Sequence, residues 1–472
     1  MPTRGHSGLL VAAWVTHGTG IVKDDPERNI VIPDALECTL QVKAAFDGET
    51  IWFRYRWPVE RPSLFNDVLV YQDGEWIARG GEALGPNPEF LTEDRVAMMI
   101  DDGSAPLFSR YGGYITIGDG LTTFTGSPET EEERTKYLPD TRTDPNDFDT
   151  IRPESDLQML RAAGQFIDLW QWRSSRSNPI GLGDDGFVAE ERGGDAGDGP
   201  YITNFDSAAG QPMFMFNPDV AGYRALSIDD VTSAAVGFND TYYLSAETAV
   251  PFDPDYAWQN GETIPRRFLQ PETGSRADVV QPASARWRNG FWDVTLQRSM
   301  DTGNPLDDKI FRDRRSYDLA FAVFRNASTM RWHSISLPVS LGLGTTAQIQ
   351  ARRSEPGQPD WTGPWTEIEV YYPVQITWGR LVDPRQHPGA DRIAARVPVA
   401  YQHSERQLAL YGIEMEFAEE IRSQWLWTLG MSLSLIVAFG VAMVLLFRRP
   451  EGKARARNCN IIKTQENTGN RT

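Results

Sequence analysis

Residues Trp425 to Phe447 (WLWTLGMSLSLIVAFGVAMVLLF) carry no charge, and this run constrains the chain more than any other feature. At about 1.5 Å per residue, a helix of that length crosses a ~30 Å hydrocarbon core. Trp425 and Trp427 suit the interface at its start. Arg448, Arg449, Lys453, Arg455 and Arg457 follow at once, which predicts a cytoplasmic C-terminal tail and a large extracytoplasmic N-terminal domain in the cell membrane. Such a domain needs an export signal, and Leu9 to Val15 (LLVAAWV) is short for one. A poor signal, a start further upstream and a cytosolic tail-anchored domain all stay open, with export preferred.

The part before the helix reads mainly as strands. Leu40, Val42 and Ala44 alternate with Gln41 and Lys43, then Asp47-Gly48 gives a two-residue hairpin signal. Ile51, Phe53, Tyr55 and Trp57 return on one face, with Arg54 and Arg56 on the other. The pattern recurs around Asn289-Gly290, with Trp292, Val294 and Leu296 alternating after it. Leu319 to Phe324 is almost wholly apolar, as a central strand should be. His333 to Val339 alternates again, and Pro338 marks a strand end or edge. Residues 127–155 and 182–212, rich in charge, Gly, Asp and Pro, read as long loops.

The fold class expected is mainly β: a β-sandwich with long loops, followed by a single C-terminal transmembrane helix. The expected organisation is an N-terminal segment over 1–34, the sandwich over 35–345, a small β-rich extension over 346–422, the membrane helix over 423–449 and a basic tail over 450–472.

Composition narrows the function. Cys38 and Cys459 are the only 2 cysteines. They cannot build a disulfide framework, a cysteine-ligated cluster or a covalent haem attachment. With 65 acidic against 46 basic residues, nucleic-acid binding is excluded as a main role. Six of the 46 basic residues are Lys. That balance suits a halophilic source or, equally, an acidic protein from a GC-rich genome. No nucleophile elbow, phosphate-binding loop or His-Glu-x-x-His is present. Asp101-Asp102, Asp184-Asp185 and Asp307-Asp308 offer oxygens for Ca²⁺ but read first as solvated loop charge. His333, at a strand start, has the chemistry to ligate haem iron or to be a hydrogen-bonded strand-end residue. Met98 and Met99 are haem-ligand types that more often pack cores.

Several segments, in order, resemble the ethylbenzene dehydrogenase-type haem-binding domain. They are Ala44 to Trp57 (AAFDGETIWFRYRW), Glu93 to Met99 (EDRVAMM), Asp168 to Arg173 (DLWQWR) with Arg176-Ser177-Asn178-Pro179, Trp287 to Arg298, and Tyr317 to Ser336. The resemblance implies a β-sandwich subunit that holds one non-covalent haem b and transfers electrons without catalysing the reaction. Its partners would be a molybdopterin catalytic subunit of the DMSO reductase family and an iron–sulfur subunit, with the bilayer engaged through the C-terminal helix. The family ligates iron with a Met and a Lys, or with His in other branches. His333 stands where that Lys or His falls, and Met98 or Met99 is the nearest Met. Gln171 occupies a place where relatives often carry His. Gly112 to Gly118 lies where cytochrome-like relatives carry Cys and His. The alternative is a surface-anchored binding module for carbohydrate or protein, including a family member that has lost its haem. Asn239-Asp240-Thr241 and Asn326-Ala327-Ser328 would suit such a surface protein as glycosylation sites.

Overall fold

The computed structural model describes residues 38–80, 89–105, 108–116, 137–144, 147–327, 333–371, 384–385 and 418–447. The expected export signal and the basic tail lie outside them. The chain divides into two units, Met1–Gly412 and Ile413–Thr472.

The larger unit is built on thirteen strands. In chain order they are β1 (Cys38–Phe46), β2 (Thr50–Pro58), β3 (Glu93–Asp101), β4 (Ile167–Arg173), β5 (Asp184–Val188), β6 (Arg192–Gly194) and β7 (Arg286–Arg288). They continue as β8 (Phe291–Ser299), β9 (Arg315–Ala327), β10 (Ser334–Ile335), β11 (Val339–Leu343), β12 (Ile349–Arg353) and β13 (Thr366–Val370). The hydrogen-bonded order is β6-β5-β4-β3-β9-β11-β12-β1-β2-β8-β7, with β10 on β9 and β13 on β1. β12 runs parallel to both β11 and β1, and so joins two layers that face each other.

Aromatic side chains fill the space between the layers. Phe53 of β2 meets Trp170 of β4 edge-on at 5.5 Å, and Trp57 meets Trp172 at 5.7 Å. Trp172 in turn packs on Trp292 of β8 at 4.9 Å. Trp57, Trp170, Trp172 and Trp292 have no exposed surface. The expected face of Ile51, Phe53, Tyr55 and Trp57 is fully buried, and the opposite face carries Arg54 in a two-point pair with Asp293 at 2.8 and 2.6 Å. The period-2 alternation of β2 sorts these residues between core and solvent.

The two turn signals behave differently. Asn289-Gly290 makes the expected two-residue turn, with φ 53° and 77° and Arg288 opposite Phe291. Asp47-Gly48 does not, because the last pair of that hairpin is Phe46 with Ile51. The Asp47 carboxylate accepts from the N–H groups of Glu49 and Thr50 at 2.9 and 2.8 Å and so closes a longer turn. Gly48 there has φ +108°. Gly48→Ala is expected to cost about 1 kcal/mol, read as a lower urea midpoint at unchanged slope.

The Gly- and Asp-rich stretch at 182–212 is not a loop throughout. β5 pairs with β4 and β6 within the main sheet. A Cβ on Gly186 would stand 2.5 Å from the Gly193 carbonyl oxygen, so glycine marks close strand approach here. Residues 127–155 hold a short hairpin, Thr143–Asp144 with Asp147–Ile151. The expected extension over 346–422 adds β12 and β13 to the main sheet in its described part. Further strands form small sheets, the largest joining Asp67–Gln72 and Glu75–Gly80 to Glu262–Pro265 and Leu226–Ser227.

Among the described residues the second unit contains one helix, α1 (Ala418–Phe447). Its stretch Leu426–Val444 is long and apolar enough to cross a membrane. Ser434 returns its hydroxyl to the Gly430 carbonyl at 2.8 Å, which satisfies a polar group within the apolar run.

Candidate functional site

The site candidates lie on β3, β4 and β9 and on the approach to β10. Alternation along these strands decides which side each residue faces. On β3, Val96, Met98 and Ile100 belong to the main core between the layers. Ala97 and Met99 face the other way, into a second apolar cluster with Leu169, Ala320 and Ile335. The register sets Met99 between Ala320 and Leu169, and Ala97 between Ala322 and Gln171.

Met98 and Met99 therefore separate. Met98 is buried in the core, where its Sδ accepts from the Tyr55 hydroxyl at 3.3 Å. Met99 lines a pocket on the outer face with Gln171 and His333. A core-facing Met98 cannot reach that pocket, since successive side chains of a strand point to opposite faces. The core Trp and Tyr residues do not line this pocket. They fill the sandwich interior themselves, and the pocket opens on the opposite face of the sheet.

The pocket floor is Ala97, Leu169, Ala320 and Ala322, small side chains that leave a shallow apolar trough. Gly112 and Gly113 cover one side. A Cβ on Gly113 would lie 3.2 Å from the Met99 Sδ, and one on Gly112 3.1 Å from the Ala320 Cβ. These glycines let the backbone close over the thioether. His333 is half-buried, its ring parallel to Phe324 at 4.8 Å and 14°. Gln171 accepts from the Arg173 guanidinium at 3.0 Å.

Arginines ring the opening. Arg95 and Arg192 both line it. The Arg95 guanidinium sits 4.2 Å over the Phe324 ring, near Glu93 at 3.7 Å. Burial pushes Arg95 down to about 9 against the opposing pull of Glu93. Burial, then Arg173, also lowers Arg192. Cations this poorly solvated favour an anionic group beside them. The alternation that selects Met99 also puts Arg95 and Ala97 on its face, a signal the sequence carries. Arg192 had none, because its strand reads as loop.

A thioether, an imidazole, an apolar floor and a cationic rim suit the donor and side-chain needs of a haem and its carboxylates. The space enclosed is about 90 Å³, below the roughly 300–1,000 Å³ of organic-ligand pockets. The donor set fits, while a macrocycle needs the walls further apart.

Asn326 of the second sequon is hydrogen-bonded within the fold. Its carboxamide oxygen accepts from the Thr92 hydroxyl at 2.5 Å and its N–H donates to Asp94 at 2.9 Å. The acidic pairs are solvated only in part: Asp101, Asp184, Asp185 and Asp308 are buried, while Asp102 is exposed and Asp307 half-buried. Lys309 serves Asp101 at 3.3 Å and Asp102 at 2.8 Å, while Arg173 and Arg276 hold Asp184.

No curated protein matches the chain. One family model, described as ethylbenzene dehydrogenase, matches residues 13–336, from before β1 to just beyond β10. With more than half its length inside that match, and with the sandwich that the resemblance implied, the chain belongs to the ethylbenzene dehydrogenase family.

Proposed function

We propose that this protein is a membrane-anchored, haem b-binding electron-transfer subunit that works with a molybdopterin oxidoreductase of the DMSO reductase family and its iron–sulfur subunit. One observation carries the reading. Met99 and His333, far apart in sequence, line one pocket with an apolar floor and two arginines at its rim. His333 and Met99 would hold the haem iron, and Arg95 and Arg192 would pair with the haem carboxylates. Gln171 and Ala97 would border the macrocycle, and Phe324 would fix the imidazole plane by stacking. A bound haem would supply one-electron transfer, with its potential set by ligand type and burial. Family membership supports the association with a molybdoenzyme complex. Leu426–Val444 would anchor the subunit, with the basic residues after it on the cytoplasmic side.

The test is an optical spectrum of the detergent-solubilised protein, oxidised and reduced, after expression with ample haem. A b-type Soret band is expected. His333→Ala and Met99→Leu should each shift or abolish it, while Met98→Leu leaves it unchanged, because that side chain belongs to the core. A colourless wild-type protein sinks the proposal. That result would favour the second reading, a membrane-anchored binding module that has lost its haem, for which the small enclosed space of about 90 Å³ speaks.

A further inference from the structure

A second cluster lies at one end of the sandwich interior, with the sheet that carries the pocket contributing Asp168 on its other face. Arg298 of β8 is fully buried and is shared among three carboxylates. It reaches Asp168 at 2.6 Å, Asp308 at 2.5 Å and Asp185 at 3.2 Å, and also donates to the Lys309 carbonyl at 3.0 Å. The Lys309 ammonium points away, to Asp101, Asp102 and the Gly164 carbonyl.

Two more carboxylates, Asp195 and Asp307, enter this region, neither in an ion pair among the described residues. Asp195 follows β6 and is 3% exposed. Both its carboxylate oxygens are buried and meet no hydrogen-bond donor among the described residues. Asp307 has one oxygen in the same state. Oxygens of Asp195, Asp307 and Asp308 all lie within 4.8 Å of one another. That is close to the widest separation of two ligands on one ion at Ca–O distances of about 2.4 Å. Thr302 donates to Asp308 Oδ2 at 2.5 Å while Arg298 holds Oδ1, which orients that side chain.

The charge does not balance. Arg298 serves Asp168, Asp185 and Asp308, and Arg161 acts on Asp307, which leaves the buried Asp195 without an ion pair among the described residues, and unpaired buried carboxylates are costly. Burial and the neighbouring Asp307 and Asp308 push Asp195 up to about 8. From the orphaned, buried Asp195 and its spacing to Asp307 and Asp308, we infer that these three aspartates hold a divalent cation, and that it is Ca²⁺. The donors are all oxygen, which disfavours zinc and copper. Mg²⁺ keeps several waters in strict octahedral geometry, while a buried loop site suits the flexible shell of Ca²⁺. Bound there, the ion would tie the β6 edge to the 301–309 loop and neutralise the excess that Arg298 leaves. The site is independent of the haem reading, because it sits on the opposite face of β4 from Gln171 and Leu169.

The experiment uses the full-length detergent-solubilised protein, stripped with EGTA, and follows thermal unfolding on adding about 10 mM CaCl₂. Extracellular calcium modules have Kd near 10⁻⁴–10⁻³ M, so the melting temperature should rise by about 2–6 °C. Tb³⁺ should bind with Trp-sensitised emission that Ca²⁺ displaces. Trp170 lies close enough to sensitise it, with its ring 4.8 Å from the Arg298 guanidinium. Asp195→Asn, and separately the half-buried Asp307→Asn, should weaken Ca²⁺ at least about tenfold and erase the thermal shift. A wild-type protein with equal melting temperatures in EGTA and CaCl₂ overturns the inference. So does a shift that persists in both variants, because binding would then lie elsewhere.

Discussion

Arg298→Met should destabilise the larger unit by about 3–5 kcal/mol, enough to deplete folded protein at 37 °C. The guanidinium has no exposed surface and bonds three buried aspartates, so its loss strands those charges without water. It also stacks over Trp170, so the aromatic core loses a neighbour. Combining Arg298→Met with Asp168→Asn and Asp185→Asn should recover part of the loss, since the penalty comes from the uncompensated carboxylates rather than from the missing cation. Urea denaturation at pH 7 in EGTA measures both. An Arg298→Met midpoint within error of wild type would show that the network carries no net stability.

Glu272→Gln should have a comparable effect in the opposite direction, and only above mildly acidic pH. Glu272 is buried, neither carboxylate oxygen has a hydrogen-bond partner among the described residues, and Asp184 lies nearby. Burial first, then Asp184, raises its carboxyl from 4.5 to about 9, against Arg276 and Arg173. Between those two values the folded protein keeps a proton that the unfolded chain has released. The folded state then binds more protons, so stability falls as pH rises through this window. Near pH 7.5 the accumulated cost is about 2–4 kcal/mol, and an amide that does not titrate removes it. Wild type and variant should therefore unfold alike near pH 4.5 and diverge towards pH 8, with the variant more stable. Parallel stability curves across that range would refute the assignment.

Much of the fold was legible because strand alternation is a local signal. Ile51, Phe53, Tyr55 and Trp57 showed their common face in sequence, and all four are buried. Leu319 to Phe324 read as a central strand, and β9 does run between β3 and β11. Asp47-Gly48 misled because the turn was set by a side chain, the Asp47 carboxylate bonding two N–H groups, rather than by backbone preference alone. The stretch at 182–212 misled because glycine signals a loop and close strand approach equally well, and Gly186 serves the second purpose.

The candidate site was half legible. His333, Met99 and Gln171 were singled out in sequence, and the fold brings all three to one pocket. Met98 had equal standing with Met99, and a shift of one residue along a strand sends it into the core. Arg192 and the glycine cover were not legible, because they approach from elsewhere in the chain. Asp185 and Asp308 read as solvated charge because nothing local reveals that Arg298, more than a hundred residues after Asp185, closes on both.

The sequence by itself determined the periodicities and spacings: a β-rich body, an apolar helix of membrane-spanning length, and two cysteines, Cys38 and Cys459, too far apart for a covalent haem motif. These follow from spacing and composition, which are properties of neighbours along the chain. Only the tertiary structure decided which layer each strand joins, which methionine meets His333, and which aspartates share a buried guanidinium. Those depend on register and sheet order, where pairing between distant segments sets the faces that meet.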